Sequence, residues 1–236
     1  KLLTGRKSGF DELRKYGGMS GFPKRKESDC DCFDTGHSST SISAGIGLVA
    51  ARDLQDGDEH VISVIGDGAL TGGMAYEALN NASRLKRNFI IILNDNNMSI
   101  AENVGGMSEY LNGLRTNEAY TNFKTGVEQS LSRIPGGSHL ANQLKKTKSG
   151  IKQLFIPLID KISRTKNGIK QLLIPGMLFE NMGITYLGPV DGHDIGKLQD
   201  ILNKAKKVKG AVLVHVLTRK GNGYVPAERH PARFHG

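Results

Sequence analysis

The chain has 236 residues, a formal net charge of +9, 38% hydrophobic residues and a mean hydropathy of -0.33. That length suits one sizeable α/β domain, and no apolar run approaches the roughly 18 residues of a membrane span. The start, Lys1-Leu2-Leu3-Thr4-Gly5-Arg6, has neither signal- nor transit-peptide composition, and Cys30 and Cys32 are too close for an easy disulfide and lack a second pair for zinc, so a reducing cytoplasm is the simplest home.

Ser41 to Leu54, rich in Ala, Gly and Ile, reads as a buried helix behind the loop Gly36-His37-Ser38-Ser39-Thr40. The apolar strand Val61 to Ile65 follows, ending in Gly66-Asp67-Gly68-Ala69. From Thr71 to Leu85, Met74, Ala75, Ala78, Leu79 and Ala82 recur at helical spacing and predict a helix with one buried face. A second apolar strand, Phe89 to Leu93, ends in Asn94-Asp95-Asn96-Asn97. This is a βαβ unit, whose crossover sets the two strands side by side with their carboxyl ends on one edge, where ligands bind.

Two oxygen-rich clusters at neighbouring strand ends suit a magnesium diphosphate. Magnesium takes octahedral oxygen ligands, usually keeping phosphate and water with one or two protein carboxylates. Asp67 offers a carboxylate, Asn96 a neutral side-chain oxygen, and the chain near Met98 a carbonyl. Gly66 and Gly68 leave room for a phosphate near the backbone, and the amides opening the next helix face it. A tight strand-to-helix turn with an Asp cap is the plainer alternative. A dinucleotide fingerprint is weak, since G-x-G-x-x-G needs glycine where Thr71 stands.

Residues Ser99 to Ser138, with many Gly, Asn and Ser, are expected to form loops and short helices. Thr147 to Pro157 is then nearly repeated by Thr165 to Pro175, with equivalent positions 18 apart. That spacing is close to five turns at about 3.6 residues each, so both copies keep one apolar side, although Pro157 interrupts any continuous helix. The 145–175 stretch is expected to be a surface-laid helical insert; a partner-binding or membrane-surface helix is the alternative. Much of the basic excess lies in Lys145 to Lys170 and in Lys204, Lys206, Lys207 and Lys209. Few aromatics are interleaved for base stacking, so it reads as a solvated face rather than a nucleic-acid site.

Ile184 to Leu187 reads as a short strand, and Asp194 caps a helix through about Lys207, with Leu198, Ile201, Leu202 and Ala205 on one face. Asp191, His193 and Asp194 mimic a metal cluster, but a capped turn is the better reading. Ala211 to Leu217 is another strand, ending near Lys220-Gly221-Asn222-Gly223-Tyr224. Taken alone, His37 and His235 read as surface or structural histidines, and Tyr224 as a packed aromatic. The whole predicts a doubly wound, mostly parallel sheet flanked by helices.

The pairing of G-D-G with a downstream N-D-N resembles the cofactor motif of thiamine-diphosphate enzymes. With Gly36-His37-Ser38-Ser39-Thr40-Ser41-Ile42-Ser43, Tyr186-Leu187-Gly188-Pro189-Val190-Asp191-Gly192-His193 and Lys220 to Tyr224, the chain resembles the amino-terminal, diphosphate-binding domain of 1-deoxy-D-xylulose-5-phosphate synthases over nearly its whole length. The resemblance implies the thiamine-diphosphate-binding fold, with Mg2+ held by Asp67, Asn96 and the Met98 carbonyl. It implies Gly68 and Ala69 on the diphosphate, Gly36, His37 and Ser38 lining the cofactor pocket, and Tyr224 against it. His235, in Arg233-Phe234-His235-Gly236, matches a family histidine near the reacting carbon, where a neutral imidazole can shuttle protons near pH 7.

The reaction so implied joins pyruvate to glyceraldehyde 3-phosphate, releasing carbon dioxide and giving 1-deoxy-D-xylulose 5-phosphate for isoprenoid, thiamine and pyridoxal biosynthesis. The resemblance also implies a bacterial cytoplasmic homodimer and a separate pyrimidine-binding domain carrying an activating glutamate. On that reading residues 1–236 form a single domain cut at both ends and inactive alone. Two alternatives stand beside it: a noncatalytic module that binds diphosphate or a partner, and the amino-terminal subunit of a split transketolase.

Overall fold

The computed structural model describes residues 1–99, 103–116 and 177–234. The chain forms two compact units, Lys1–Asn103 with Met182–Gly236, and Val104–Asn181. The first contains a four-stranded sheet: β1 (Ile62–Gly66), β2 (Phe89–Asp95), β3 (Thr185–Asp191) and β4 (Ala211–Leu217). Its order is β1-β2-β4-β3 and every pairing is parallel. The doubly wound α/β expectation holds, and all four carboxyl ends share one edge.

Burial explains which sequences became which strands. The inner strands β2 and β4 are covered on both faces and are almost continuously aliphatic. The outer strand β1 alternates, with Ser63 and Ile65 buried and Ile62 and Val64 exposed. β3 runs four residues further than the Ile184-to-Leu187 reading, because its pairing with β4 resumes at Val190 and Asp191 after an irregularity.

Helices cover both faces. On one, α1 (Ser41–Leu54) packs against β1 and α3 (Gly73–Ala82). Its bounds agree with the sequence reading, but only one side is buried, through Ile42, Gly45, Val49 and Arg52, while Leu48 and Leu54 face solvent. Contact with the sheet is close at Gly45, where an added Cβ would lie 2.2 Å from Ser63 Oγ and 2.7 Å from the Phe89 ring. On the other face, α6 (Ile195–Ala205) packs Leu198, Ile201 and Ala205 onto a cluster of Ile90, Val212, Val214 and Val216. Phe89 and Ile90 thus point to opposite faces, as adjacent strand residues must. Asp194 caps α6 as expected, its Oδ1 accepting from the Lys197 amide at 3.0 Å; the helix ends at Ala205, short of Lys207.

The helix expected from Thr71 to Leu85 is α3, shorter at both ends, and a further short helix, α2 (Asp67–Leu70), precedes it, beginning within the Gly66-Asp67-Gly68-Ala69 cluster. Gly72 is extended (φ -75°, ψ 142°), and an added Cβ there would come 2.4 Å from Ser39 Oγ. Periodicity detects the buried face of α3 but not its late start, where Gly72 packs closely against Ser39.

Before Ser39 no residue is buried. This segment forms short 3-10 turns at Leu2–Thr4, Lys7–Glu12 and Arg25–Glu27, held by a bidentate Arg6–Asp31 pair (2.7 and 2.8 Å) and a Lys1–Glu27 pair. Cys30 and Cys32 are both free and exposed. In the second unit, α4 (Gly106–Thr116) and α5 (Met177–Asn181) meet where the Leu178 amide donates to Tyr110 Oη at 3.1 Å and Phe179 packs edge-on against Tyr110. The short α7 (Val225–Arg229) follows β4. No helix among the described residues is long and apolar enough to cross a membrane. The 147–157 and 165–175 repeat lies outside the described residues.

Candidate functional site

Asp67 follows the last residue of β1 and begins α2; Asp95 ends β2, and Asn96 begins the turn beyond it. Because Gly66 pairs with Asn94 in register, the two clusters lie side by side. Asp67 is only 3% exposed and Asp95 only 1%. Burial and the facing Asp95 carboxyl push the Asp67 pKa up, partly opposed by donation from the Gly68 and Asn97 amides. The Asn103 side-chain amide also donates to Asp67 Oδ2 at 2.7 Å. Two facing acids in one buried place are costly when both are ionised, and a cation between or beside them relieves that cost.

The turn after β2 is tightly specified. Asp95 Oδ1 accepts from the Asn97 amide at 3.1 Å, and Asn96 Oδ1 accepts from the Met98 amide at 3.0 Å. Asn97 takes a left-handed conformation, φ 61°, which asparagine tolerates better than most residues. Asn94 Oδ1 accepts from Thr218 Oγ1 at 2.7 Å, and the Thr218 amide donates to the Asp95 carbonyl at 2.9 Å, tying the end of β4 to this turn.

The His37 loop is anchored to the same edge. Ser39, at φ 69°, donates its hydroxyl to the Ala69 carbonyl at 2.7 Å. This brings Gly36, His37 and Ser38, all exposed, next to the Gly68-Ala69 segment in the chain's path. Gly68 is itself closely approached: an added Cβ would lie 2.8 Å from Ser99 Cβ. Lys220 Nζ donates to the Ser99 carbonyl at 2.7 Å, linking the loop before Tyr224 to the chain beyond Asn96. Tyr224 is exposed and stacks edge-on with Phe234, centroids 5.7 Å apart. Met98 lines an open cleft of about 430 Å³ with His230, Pro231, Ala232 and Arg233. His235 lies outside the described residues.

The 191–194 segment is a turn rather than a metal cluster. Asp191 Oδ1 accepts from the His193 amide at 2.9 Å, and His193 Nε2 accepts from the Arg219 amide at 2.9 Å. His193 Nδ1 lies 3.2 Å from Asn222 Nδ2, so this imidazole fastens the loop leading to Tyr224.

Among the described residues no three His, Cys, Asp or Glu side chains converge as a metal cluster. The donors that do approach one another are the buried Asp67–Asp95 carboxyl pair, with the Asn96 side-chain oxygen on the turn that follows Asp95, all hard oxygen ligands. This chemistry fits magnesium, which draws the rest of its shell from phosphate and water, and does not suit zinc. Sequence reasoning missed three participants: Asn103 on Asp67, Ser39 on Ala69, and His215, a fully buried imidazole whose Nε2 lies 2.9 Å from Asp95 Oδ2. One signal for the last was available, a lone ionisable residue inside the aliphatic run Ala211 to Leu217.

A parallel sheet flanked by helices, with oxygen donors at its carboxyl edge, is a doubly wound α/β architecture. The transketolase from Leishmania mexicana superposes with a TM-score of 0.52 over 89% of this chain and 24% of its own, at 19% identity, a likeness of fold. The chain belongs to the 1-deoxy-D-xylulose-5-phosphate synthase family, whose profile matches residues 1–218. Its sequence is 57% identical to the 1-deoxy-D-xylulose-5-phosphate synthase of Lachnoclostridium phytofermentans and 54% identical to that of Desulfitobacterium hafniense. Both comparisons cover 100% of this chain and 35% of the relative, so it spans about a third of the length of these relatives.

Proposed function

We propose that this chain is the cofactor-diphosphate-binding part of a 1-deoxy-D-xylulose-5-phosphate synthase, and that it needs the remainder of the enzyme for activity. The carrying observation is the buried Asp67–Asp95 carboxyl pair beside Asn96, at the carboxyl ends of adjacent parallel strands. On this reading Asp67, the Asn96 side-chain oxygen and the Met98 carbonyl hold Mg2+. The Gly68-Ala69 backbone faces the diphosphate, while Gly36, His37, Ser38 and Tyr224 line the pocket of thiamine diphosphate. When bound, that cofactor supplies the electron-accepting chemistry for decarboxylating pyruvate and joining the remaining two carbons to glyceraldehyde 3-phosphate.

The chain's own contribution is to bind, orient and exclude water. Asp67, already desolvated, would hold magnesium, and the metal would offset its negative charge and that of the diphosphate. The Ser39–Ala69 hydrogen bond holds the His37 loop against the strand-end turn. His235 is assigned the proton-handling role that the family resemblance implies. An activating glutamate, the pyrimidine-binding domain and a homodimeric partner belong to the rest of the enzyme.

Calorimetric titration with thiamine diphosphate and magnesium tests the reading, using the chain alone and with a supplied pyrimidine-domain partner. Weak or undetectable binding is expected alone, tight binding with the partner, and none in Asp67→Ala. Binding that ignores magnesium and survives that substitution would falsify the metal-site assignment.

A further inference from the structure

β4 reads Ala-Val-Leu-Val-His-Val-Leu, and its one polar side chain, His215, is 0% exposed. An aliphatic residue there would pack without any hydrogen-bonding requirement, whereas a buried imidazole is costly unless both ring nitrogens are satisfied. Both are. Nε2 lies 2.9 Å from Asp95 Oδ2, and Nδ1 lies 2.7 Å from Tyr186 Oη. A single neutral tautomer satisfies the chain: the tyrosine hydroxyl donates to Nδ1, and Nε2–H donates to the Asp95 carboxylate. The relay therefore crosses three strands, from Tyr186 on β3 through His215 on β4 to Asp95 at the end of β2.

Its inner end is the candidate metal site. His215 holds Asp95 Oδ2 while the Asn97 amide holds Oδ1, so the carboxyl plane is fixed from both sides. The clamped carboxyl faces Asp67 and sets the turn containing Asn96 and Met98. We propose that His215, backed by Tyr186, is a positioning residue for the metal-binding turn, aiming Asp95 so that Asp67, Asn96 and Met98 present their oxygens together. This inference rests on the reading of those three residues as metal donors.

The test uses the chain with the supplied pyrimidine-domain partner and thiamine diphosphate, with Mn2+ as probe, its binding followed by electron paramagnetic resonance, and amide exchange at Asn97 followed by NMR. His215→Phe keeps the buried ring but removes both nitrogens; His215→Gln keeps a donor near the Nε2 position. His215→Phe is expected to weaken Mn2+ binding about 10- to 100-fold, the effect typical of groups that orient metal ligands. It should also accelerate exchange at Asn97 while α3 amides keep their protection, and His215→Gln should recover much of both. Tyr186→Phe, which deletes only a hydroxyl, gives a smaller change in the same direction and serves if His215→Phe fails to fold.

Unchanged Asn97 exchange and Mn2+ affinity in folded His215→Phe, or in Tyr186→Phe if that protein alone folds, overturn the proposal. So does a loss that Gln does not recover at all, since that marks a purely packing role. Asp67→Ala separates the two layers. If wild-type binding of Mn2+ survives Asp67→Ala, the metal-site reading falls and this proposal with it. If Asp67→Ala abolishes binding but His215→Phe leaves it intact, only the relay is overturned.

Discussion

Substituting Gly45 by alanine tests how rigidly α1 is set against the sheet. The new methyl would lie 2.2 Å from Ser63 Oγ and 2.7 Å from the ring of Phe89, well inside ordinary contact. Neither neighbour yields easily: Phe89 is 0% exposed, and Ser63 Oγ donates to the Ser41 carbonyl at 2.7 Å. Overpacking a fitted core costs about 1 to 3 kcal/mol, and displacing the serine forfeits a hydrogen bond worth about 1 kcal/mol. Alanine returns about 1 kcal/mol through helix propensity. The net expectation is a loss of about 1 to 3 kcal/mol in urea unfolding, which lowers the melting temperature by several degrees. Gly45→Ala,Ser63→Ala should recover part of it, because the shorter of the two clashes disappears. An unfolding midpoint for Gly45→Ala equal to or above that of the parent would refute the argument that backbone proximity, rather than chain flexibility, requires glycine here.

Two further outcomes concern the sheet edge. Burial and Asp95 raise the Asp67 pKa, so in the metal-free chain the folded state keeps a proton that the unfolded state releases around its ordinary value of 3.8. The resulting stabilisation is complete below that value and is lost as pH rises through the raised one. The stability of wild type relative to Asp67→Asn should therefore decline with rising pH across that window, as measured by urea unfolding without divalent ions; a pH-independent difference counts against it. His193→Ala removes the acceptor of the Arg219 amide, so hydrogen exchange at Arg219 should speed up while the amides of α6 stay protected. Equal exchange at Arg219 in both proteins would show that the 219–223 loop holds its shape without the imidazole.

The sheet was legible because its strands carry their environment in their composition. Phe89 to Leu93 and, apart from His215, Ala211 to Leu217 are apolar because they are covered on both faces, and Asp194 marks the start of α6 by the chemistry of a cap. The placement of Asp67 and Asn96 at one sheet edge was legible for a similar reason: each follows an apolar run closely enough to be carried to its end. What escaped are pairings across long stretches of chain. His215 meets Asp95 across 120 positions, and nothing local to either residue announces the other. The short helix α2 and the start of α3 at Gly73 escaped as well, since the turn at Gly72 packs against Ser39 and leaves no trace in the periodicity of Thr71 to Leu85.

The first 38 residues and the sheet keep their shapes by different forces. With no buried residue before Ser39, the leading segment is braced internally by carboxylates that each accept from a cation and a backbone amide: Asp31 from Arg6 and the Lys24 amide, Glu27 from Lys1 and the Ser20 amide, Asp34 from Arg25 and its amide. Those partners hold all three carboxyls below their ordinary pKa values, so protonation loosens the segment's internal ties as pH falls. Salt weakens them in parallel, while the aliphatic sheet feels neither directly. The stretch leading to Gly36 to Ser38 thus keeps its own shape through ties set by the ionic composition of the solution, whereas the strands that carry Asp67 and Asn96 keep theirs through aliphatic burial.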